Sequence, residues 1–221
     1  MVNIALEPDR NPIYVKAIEG AGGVLSPLNR EVGSSEVRAL VWTDYGDPTG
    51  LQRTLEKNPQ LEWVQLPFAG VDAFAHLLHF PVKFTCAKGA YAEPVAEHAL
   101  TLALALGRTI PERVQAKSWG RKFADSLFDS NVLIIGGGGI AEVLVSLLQP
   151  FRPKITILRK HPQYSFHGSA EVLGFSEFDA AITQAKFIFI TCALTSETRN
   201  LFNDRTFKLM RSDSYLINVA R

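Results

Sequence analysis

The sequence predicts an α/β fold built on parallel β-sheets. Short apolar runs rich in β-forming residues alternate with helix-forming segments along most of the 221 residues, which is the pattern of strands joined by crossover helices. Hydrophobic residues make up 47% of the chain, enough for a packed core. A glycine run at 136–139 follows one apolar run directly and precedes a helix-forming segment. We therefore expect two α/β domains, the second with a nucleotide-binding turn.

The first domain is assigned to residues 1–96. Pro67 ends its fourth strand, because proline cannot donate to a ladder of hydrogen bonds. Gly20 and the pair Asn58-Pro59 end its two helices. The predicted strands are 2–6, 24–25, 37–43, 61–66 and 82–86, and the predicted helices are 12–19 and 50–57. This alternation predicts a flavodoxin-like parallel sheet.

A long helix is expected to connect the two domains. Pro94 suits its first turn, and residues 95–108 are nearly all helix-forming and apolar, which predicts a buried or interface helix. The second domain, 97–221, then alternates again and is expected to be doubly wound. Its predicted strands are 131–135, 154–158, 187–191 and 215–219, and its predicted helices are 140–148, a segment ending at 185, and 204–210.

Composition narrows the classes of function. The 23 basic and 22 acidic side chains form no long run of like charge, so we expect neither a nucleic acid nor a membrane as partner. The start of the chain carries no basic segment before a long apolar run, which predicts a cytoplasmic protein without a signal peptide. Cys86 and Cys192 are expected to be reduced thiols. No CxxC or HExxH motif is present, so no metal site is expected.

The glycine run predicts a phosphate-binding turn. A strand, this turn, a helix and a second strand follow one another as in the Gly-x-Gly-x-x-Gly fingerprint of Rossmann domains. Gly136 permits the tight turn, Gly138 lets the backbone approach a pyrophosphate, and Ala141 takes the third, small position. The amides of Gly139 and Ile140 would point toward phosphate from the helix N-terminus. The alternative is a glycine-rich turn that binds nothing.

The end of the second strand of this domain indicates which cofactor is used. A site for NAD usually has Asp or Glu there, to accept hydrogen bonds from the ribose 2′-hydroxyl. This chain has Arg159 followed by Lys160, and both cations suit the 2′-phosphate of NADP. We therefore expect NADP to be preferred, with NAD as the second choice. The alternative is a solvated basic strand end.

Four further segments carry the pattern of a known family. They are 69–72, 95–99, 194–198 and 207–221, the last of which ends in Asn218-Val219-Ala220-Arg221. In this order and at these spacings, the chain resembles the D-isomer-specific 2-hydroxyacid dehydrogenases. The resemblance implies a substrate-binding domain followed by a Rossmann cofactor domain. It also implies a homodimer formed through the long helix and the arm around Trp119, although that helix could instead pack within one chain.

The resemblance implies roles for particular residues. Backbone amides at Ala69, Gly70 and Val71 would bind the substrate carboxylate, with a plain turn as the alternative. Arg221 would bind the same carboxylate and polarise the reacting carbonyl. Further cofactor contacts are expected at Cys192, Ala193, Thr198 and Val219.

The chain also departs from the family pattern. Ala193 replaces a proline, Lys186 replaces an aspartate, and Arg159 replaces the ribose-binding acid. The family's catalytic Glu and His, and its last strands, would come after Arg221. We therefore expect these 221 residues to be a fragment of an enzyme and to be inactive by themselves.

The resulting hypothesis is an oxidoreductase. Its parent protein would transfer hydride between NAD(P)H and C2 of a small 2-oxo or 2-hydroxy acid whose identity the sequence does not specify. The alternative is a non-catalytic module that binds a dinucleotide as a sensor or recruits protein partners.

Overall fold

The computed structural model describes residues 2–28, 36–120 and 123–220. The chain divides into two units, Met1–Lys88 and Gly89–Arg221, each with one five-stranded sheet. The sequence-based division between 96 and 97 falls within helix α3, Ala92–Gly107. The structure keeps this helix whole in the second unit, where its buried alanines pack in that unit's core.

The two units follow each other along the chain as alternating strands and helices. The strands are β1 Asn3–Glu7, β2 Val24–Leu25, β3 Ala39–Trp42, β4 Trp63–Leu66, β5 Lys83–Cys86, β6 Asn131–Ile135, β7 Lys154–Leu158, β8 Glu171–Leu173, β9 Phe187–Ile190 and β10 Tyr215–Asn218. The helices are α1 Pro12–Gly20, α2 Pro48–Lys57, α3, α4 Ile110–Gln115, α5 Gly139–Leu148, α6 Phe178–Gln184 and α7 Asp204–Leu209, and short 3₁₀ segments cover Asp72–Leu77, Gln149–Phe151 and Phe175–Glu177.

The sheet of the first unit has the order β2-β1-β3-β4-β5, with every neighbouring pair parallel. All four residues of β3 are buried, as expected for a central strand covered on both faces. This order is that of flavodoxin-like folds. The predicted fold of the first domain is therefore confirmed.

The helices of this unit begin at capping residues. The side chain of Asn11 accepts a hydrogen bond from the amide of Ile13, and Pro12 opens α1. The side chain of Asp47 accepts from the amide of Gly50, so α2 begins at Pro48 rather than at the predicted residue 50. The reason is that an Asp cap followed by Pro satisfies the first turn.

The sheet of the second unit has the order β10-β9-β6-β7-β8 and is also parallel throughout. Alternate residues of β6 enter two different cores. Val132 and Ile134 pack with α3 and α5, whereas Leu133 and Ile135 pack with α6. Helices on both faces and strand order reversal at β6 confirm the predicted doubly wound arrangement.

Two elements of the second unit were not predicted. Strand β8 has only three residues, and α4 has six and is exposed throughout, so neither produces an apolar periodicity. Among the described residues, no helix is long and apolar enough to cross a membrane. In the same part of the chain, no group of three or more His, Cys, Asp or Glu side chains could hold a metal ion.

Candidate functional site

The glycine-rich turn after β6 is enclosed by the ends of two neighbouring strands. Gly136 has a φ of +110°, and its amide donates to the carbonyl of Leu158 at 2.8 Å. The Thr191 hydroxyl donates to the carbonyls of Ile135 and Gly136, both at 3.2 Å. A Cβ atom at Gly136 would lie 2.7 Å from the amide nitrogen of Cys192. Both the backbone conformation at position 136 and the close approach of the Cys192 backbone therefore require glycine there.

The next part of the turn is open. Gly138 is the N-cap of α5 and is exposed, and a Cβ atom placed on it would meet nothing within 4 Å. In the described ranges, the amide groups of residues 137–141 donate to no protein acceptor. Ala141 behind them is fully buried in the core. Open space in front of free amides at a helix N-terminus is what binding of a pyrophosphate requires.

Arg159 lies across this turn. It follows β7, and its own amide donates to the carbonyl of Leu173 at 3.0 Å. A Cβ atom at Gly137 would come within 2.9 Å of the Cδ of Arg159, and the guanidinium contacts the carbonyl of Ser165 at 3.4 Å. Sequence reasoning assigned no role to Gly137. The structure shows that its missing side chain leaves room for the arginine.

Lys160 is paired with an acid that sequence reasoning did not single out. Its Nζ lies 2.6 Å from Oε1 of Glu197, and both side chains are more than 60% exposed. Glu197 belongs to the 194–198 segment. Because it is 37 residues away from Lys160 along the chain, the pair can be recognised only once the fold is known. The pair borders a cavity of about 480 Å³. The cavity is lined by Lys160, Phe175, Phe178, Asp179, Glu197, Thr198 and Leu201.

The loop that carries Glu197 is held by its own hydrogen bonds. The Thr198 hydroxyl donates to the carbonyl of Ala193 at 2.7 Å and accepts from the amide of Thr195 at 2.8 Å. The amide of Arg199 donates to the carbonyl of Thr195 at 2.9 Å. The predicted cofactor contacts Ala193 and Thr198 are thus linked directly to each other.

The remaining predicted cofactor contacts lie at the ends of β9 and β10. Cys192 is half-buried, and burial raises the pKa of its thiol, so it is protonated at neutral pH. The amide of Val219 donates to the carbonyl of Ile190 at 3.2 Å. Arg221, the predicted catalytic residue, lies outside the described residues.

The predicted substrate loop belongs to the first unit and follows β4. Phe68, at its start, stacks on Phe74 at 5.8 Å and meets the edge of Tyr45 at 5.3 Å. The carbonyl of Phe68 accepts from the amide of Ala87 at 3.0 Å. In the part of this unit that is described, the amides of Ala69, Gly70 and Val71 have no protein acceptor. They are therefore available to an anion, and their assignment to the substrate stays a prediction.

A second charged cluster lies at the opposite edge of the second sheet, where strands begin. Lys186 donates to Asp125 at 2.8 Å and to Asp213 at 3.0 Å, and the Tyr215 hydroxyl donates to Asp125 at 2.7 Å. The hydrogen bonds from Lys186 and Tyr215 lower the pKa of Asp125. Burial lowers the pKa of Lys186, but the two aspartates raise it by more. Since ligands of such sheets bind at the carboxyl ends of strands, we assign this cluster to the fold and not to the candidate site.

Comparisons with known proteins agree with this geometry. A model of the family described as "D-isomer specific 2-hydroxyacid dehydrogenase, NAD binding domain" matches residues 100–221, which is more than half of the chain. A protein named glyoxylate/hydroxypyruvate reductase B, from Escherichia fergusonii, is 29% identical over 188 residues, covering 76% of this chain and 55% of its own. The chain spans about half the length of the curated relatives it matches.

Solved structures have the same fold. A D-isomer-specific 2-hydroxyacid dehydrogenase from Xanthobacter autotrophicus Py2, in complex with NADPH and MES, is 20% identical with a TM-score of 0.82. The match covers 100% of this chain and 72% of that one. A member of the same family from Aeromonas salmonicida subsp. salmonicida A449 is 21% identical with a TM-score of 0.81, over 100% of this chain and 73% of its own.

Proposed function

Since this chain belongs to the family of D-isomer-specific 2-hydroxyacid dehydrogenases, we propose that its protein is an NAD(P)-dependent oxidoreductase. The reaction proposed is hydride transfer between a nicotinamide dinucleotide and C2 of a small 2-oxo or 2-hydroxy acid. The observation that carries the proposal is the open backbone at Gly138 in front of the free amides of α5. The name of the Escherichia fergusonii relative, a glyoxylate/hydroxypyruvate reductase, supports a short 2-oxo acid as substrate.

The residues of the turn fit a dinucleotide. The amides of Gly138, Gly139 and Ile140 would donate to the pyrophosphate, and the partial positive charge of the α5 N-terminus would favour it. Gly136 and Ala141 would shape the turn without contacting phosphate strongly, because both are buried. When bound there, the nicotinamide group would supply or accept the hydride. Cys192, Ala193, Thr198 and Val219 are proposed to contact the same cofactor.

We propose a preference for NADP(H) over NAD(H). Arg159 directly follows the carboxyl end of β7, where the ribose would bind, and its side chain lies over the glycine-rich turn. Its guanidinium can donate two hydrogen bonds to a 2′-phosphate, and Lys160 adds a second positive charge. No acid takes the place of Arg159 to accept from a 2′-hydroxyl.

The first unit is proposed to bind the substrate. The free amides at Ala69, Gly70 and Val71 can donate to a carboxylate, and the aromatic contacts of Phe68 keep their loop in place. Arg221 is proposed, from the family resemblance alone, to bind the same carboxylate and to polarise the C2 oxygen. In this assignment the first unit is the substrate domain, and the second unit, which contains the whole of α3, is the cofactor domain.

The test measures binding before turnover, with the protein expressed from its full gene. Calorimetric titration should show binding of NADPH and weaker binding of NADH. Oxidation of NADPH should then be followed at 340 nm, the wavelength of its reduced ring, with glyoxylate, hydroxypyruvate and pyruvate. Binding without oxidation would favour a sensor module, NADH binding as strong as NADPH binding would contradict the preference, and binding of neither would overturn the function.

A homodimer is part of the proposal. The arm after α3 exposes large apolar side chains, with Val114 at 79%, Trp119 at 94% and Phe123 at 59%. Trp119 and Phe123 line a cavity of about 550 Å³, and an exposed apolar patch of this kind is typical of an interface. Sedimentation should give a dimer that Trp119→Arg weakens, whereas a monomeric wild type would contradict it.

The proposed location is the cytoplasm. Both cysteines, Cys86 and Cys192, are free thiols, which is what a reducing compartment maintains. Fractionation of cells that express the protein with a small tag would test this assignment.

A further inference from the structure

Glu197 is the one acid that contacts the proposed phosphate-binding cations among the described residues. Lys160 follows β7 and Glu197 lies in the loop after β9, 37 residues later, yet their charged atoms are 2.6 Å apart. Arg159, in contrast, contacts the carbonyl of Ser165. The lysine expected to contact a 2′-phosphate thus already has a negatively charged partner.

We propose that Glu197 is a specificity-determining residue of this cofactor site, and that it restrains the preference for NADP(H) by competing with the 2′-phosphate for Lys160. The inference rests on the proposed function and deepens it. It concerns how strongly the chain distinguishes the two dinucleotides, which the basic pair Arg159-Lys160 alone does not determine.

The competition follows from the charges involved. A 2′-phosphate carries between one and two negative charges near neutral pH, so it and the Glu197 carboxylate compete for the positive charge of Lys160. NADH has a neutral hydroxyl at this position and gains little from that charge. Removal of the Glu197 charge should therefore strengthen binding of NADPH and leave binding of NADH nearly unchanged.

The loop keeps the carboxylate close to the lysine. The amides of Thr195 and Thr198 each donate to the hydroxyl of the other, and the Thr198 hydroxyl donates to the carbonyl of Ala193, so the backbone around Glu197 is fixed within one turn. The side chain remains 64% exposed and can rotate into solvent when a phosphate arrives. The pair therefore weakens the binding of NADPH without blocking it.

The size of the effect is set by exposure. Exposed charges in contact interact weakly in water and are screened by salt. We expect Glu197→Gln to raise the affinity for NADPH by about three- to tenfold at low ionic strength, and to change the affinity for NADH by less than about twofold. The difference between variant and wild type should shrink as salt is added.

The experiment is calorimetric titration of NADPH and NADH into wild type and Glu197→Gln, at low and high ionic strength. Asp179→Asn is the matched control, because Asp179 lines the same cavity but pairs with Arg205. It makes the same change in net charge and should leave the ratio of the two dissociation constants within about twofold of wild type.

A double-variant cycle shows whether Glu197 acts through the lysine. In a Lys160→Met background, Glu197→Gln should change NADPH affinity by a much smaller factor than in wild type. Three outcomes would each overturn the inference. Glu197→Gln could raise NADPH affinity by the same factor in the Lys160→Met background as in wild type, Asp179→Asn could change the affinities as much as Glu197→Gln does, or Glu197→Gln could fail to raise the preference for NADPH over NADH. If wild type binds both dinucleotides and one of these three outcomes is found, only the role of Glu197 is refuted. If wild type binds neither dinucleotide, the proposed function is refuted as well.

Discussion

Replacement of Gly138 by alanine should separate binding from folding. A Cβ atom at this position meets no other atom within 4 Å, and the φ of −100° is one that alanine adopts freely. Alanine is a poorer N-cap than glycine but reduces the entropy of the unfolded chain. These small effects oppose each other, so the free energy of unfolding should stay within about 1 kcal/mol of wild type.

Binding should respond very differently. The added methyl group would occupy the space through which a pyrophosphate approaches the amides of α5. Overpacking of such a contact costs about 1–3 kcal/mol, which corresponds to roughly a fivefold to hundredfold loss of affinity. NADPH and NADH should lose affinity by the same factor, because they share the pyrophosphate.

Gly136→Ala is the matched comparison, two residues away. Its Cβ atom would lie 2.7 Å from the nitrogen and 2.8 Å from the Cα of Cys192, which are backbone atoms of a neighbouring strand end. Positive φ and this overlap together should cost about 2–5 kcal/mol of stability. Urea unfolding followed by circular dichroism, with calorimetric titration, measures both quantities for both variants. A folded Gly138→Ala protein that binds NADPH as wild type does would refute the placement of the pyrophosphate.

Three further outcomes are expected. Gly137→Ala should displace Arg159, whose Cδ lies 2.9 Å from the new methyl group, and lower the NADPH-to-NADH affinity ratio in titrations with little change in stability. Lys186→Met should destabilise by about 1 kcal/mol in urea unfolding, because it removes the lysine that pairs with both Asp125 and Asp213 and leaves them the Tyr215 hydroxyl and Arg211 as partners. The lowered pKa of Asp125 contributes stability above its unfolded pKa of about 4 that is lost as the pH falls through the folded value. The free energy of unfolding should therefore fall less steeply with decreasing pH in Lys186→Met than in wild type. An unchanged slope would contradict this.

The sequence predicted the fold well where strands are buried on both faces. Strands β6 and β9 consist almost entirely of apolar β-forming residues, because each face of them packs against a helix. The Gly136 turn was predictable for a related reason. Its φ of +110° and its contact with the backbone of Cys192 both exclude a side chain. Only glycine satisfies both conditions, so this turn is visible in the sequence.

Contacts that depend on which strand ends become neighbours could not be predicted in this way. Lys160 and Glu197 meet only because β7 and β9 both pair with β6. In the sequence Lys186 is only a departure from the family pattern, because its two aspartate partners are 61 and 27 residues away. Short exposed elements such as α4 likewise left no periodic signal.

The ion pair at Lys160 also limits what the basic pair implies about cofactor choice. Read from the sequence, Arg159 and Lys160 offer a 2′-phosphate two positive charges. In the structure, Glu197 offsets one of them at 2.6 Å, whereas Arg159 keeps its guanidinium beside a neutral carbonyl. Since a guanidinium also donates two hydrogen bonds to phosphate in fixed geometry, most of the selectivity should come from Arg159. Gly137, which gives that side chain its room, then matters more to selectivity than Lys160 does.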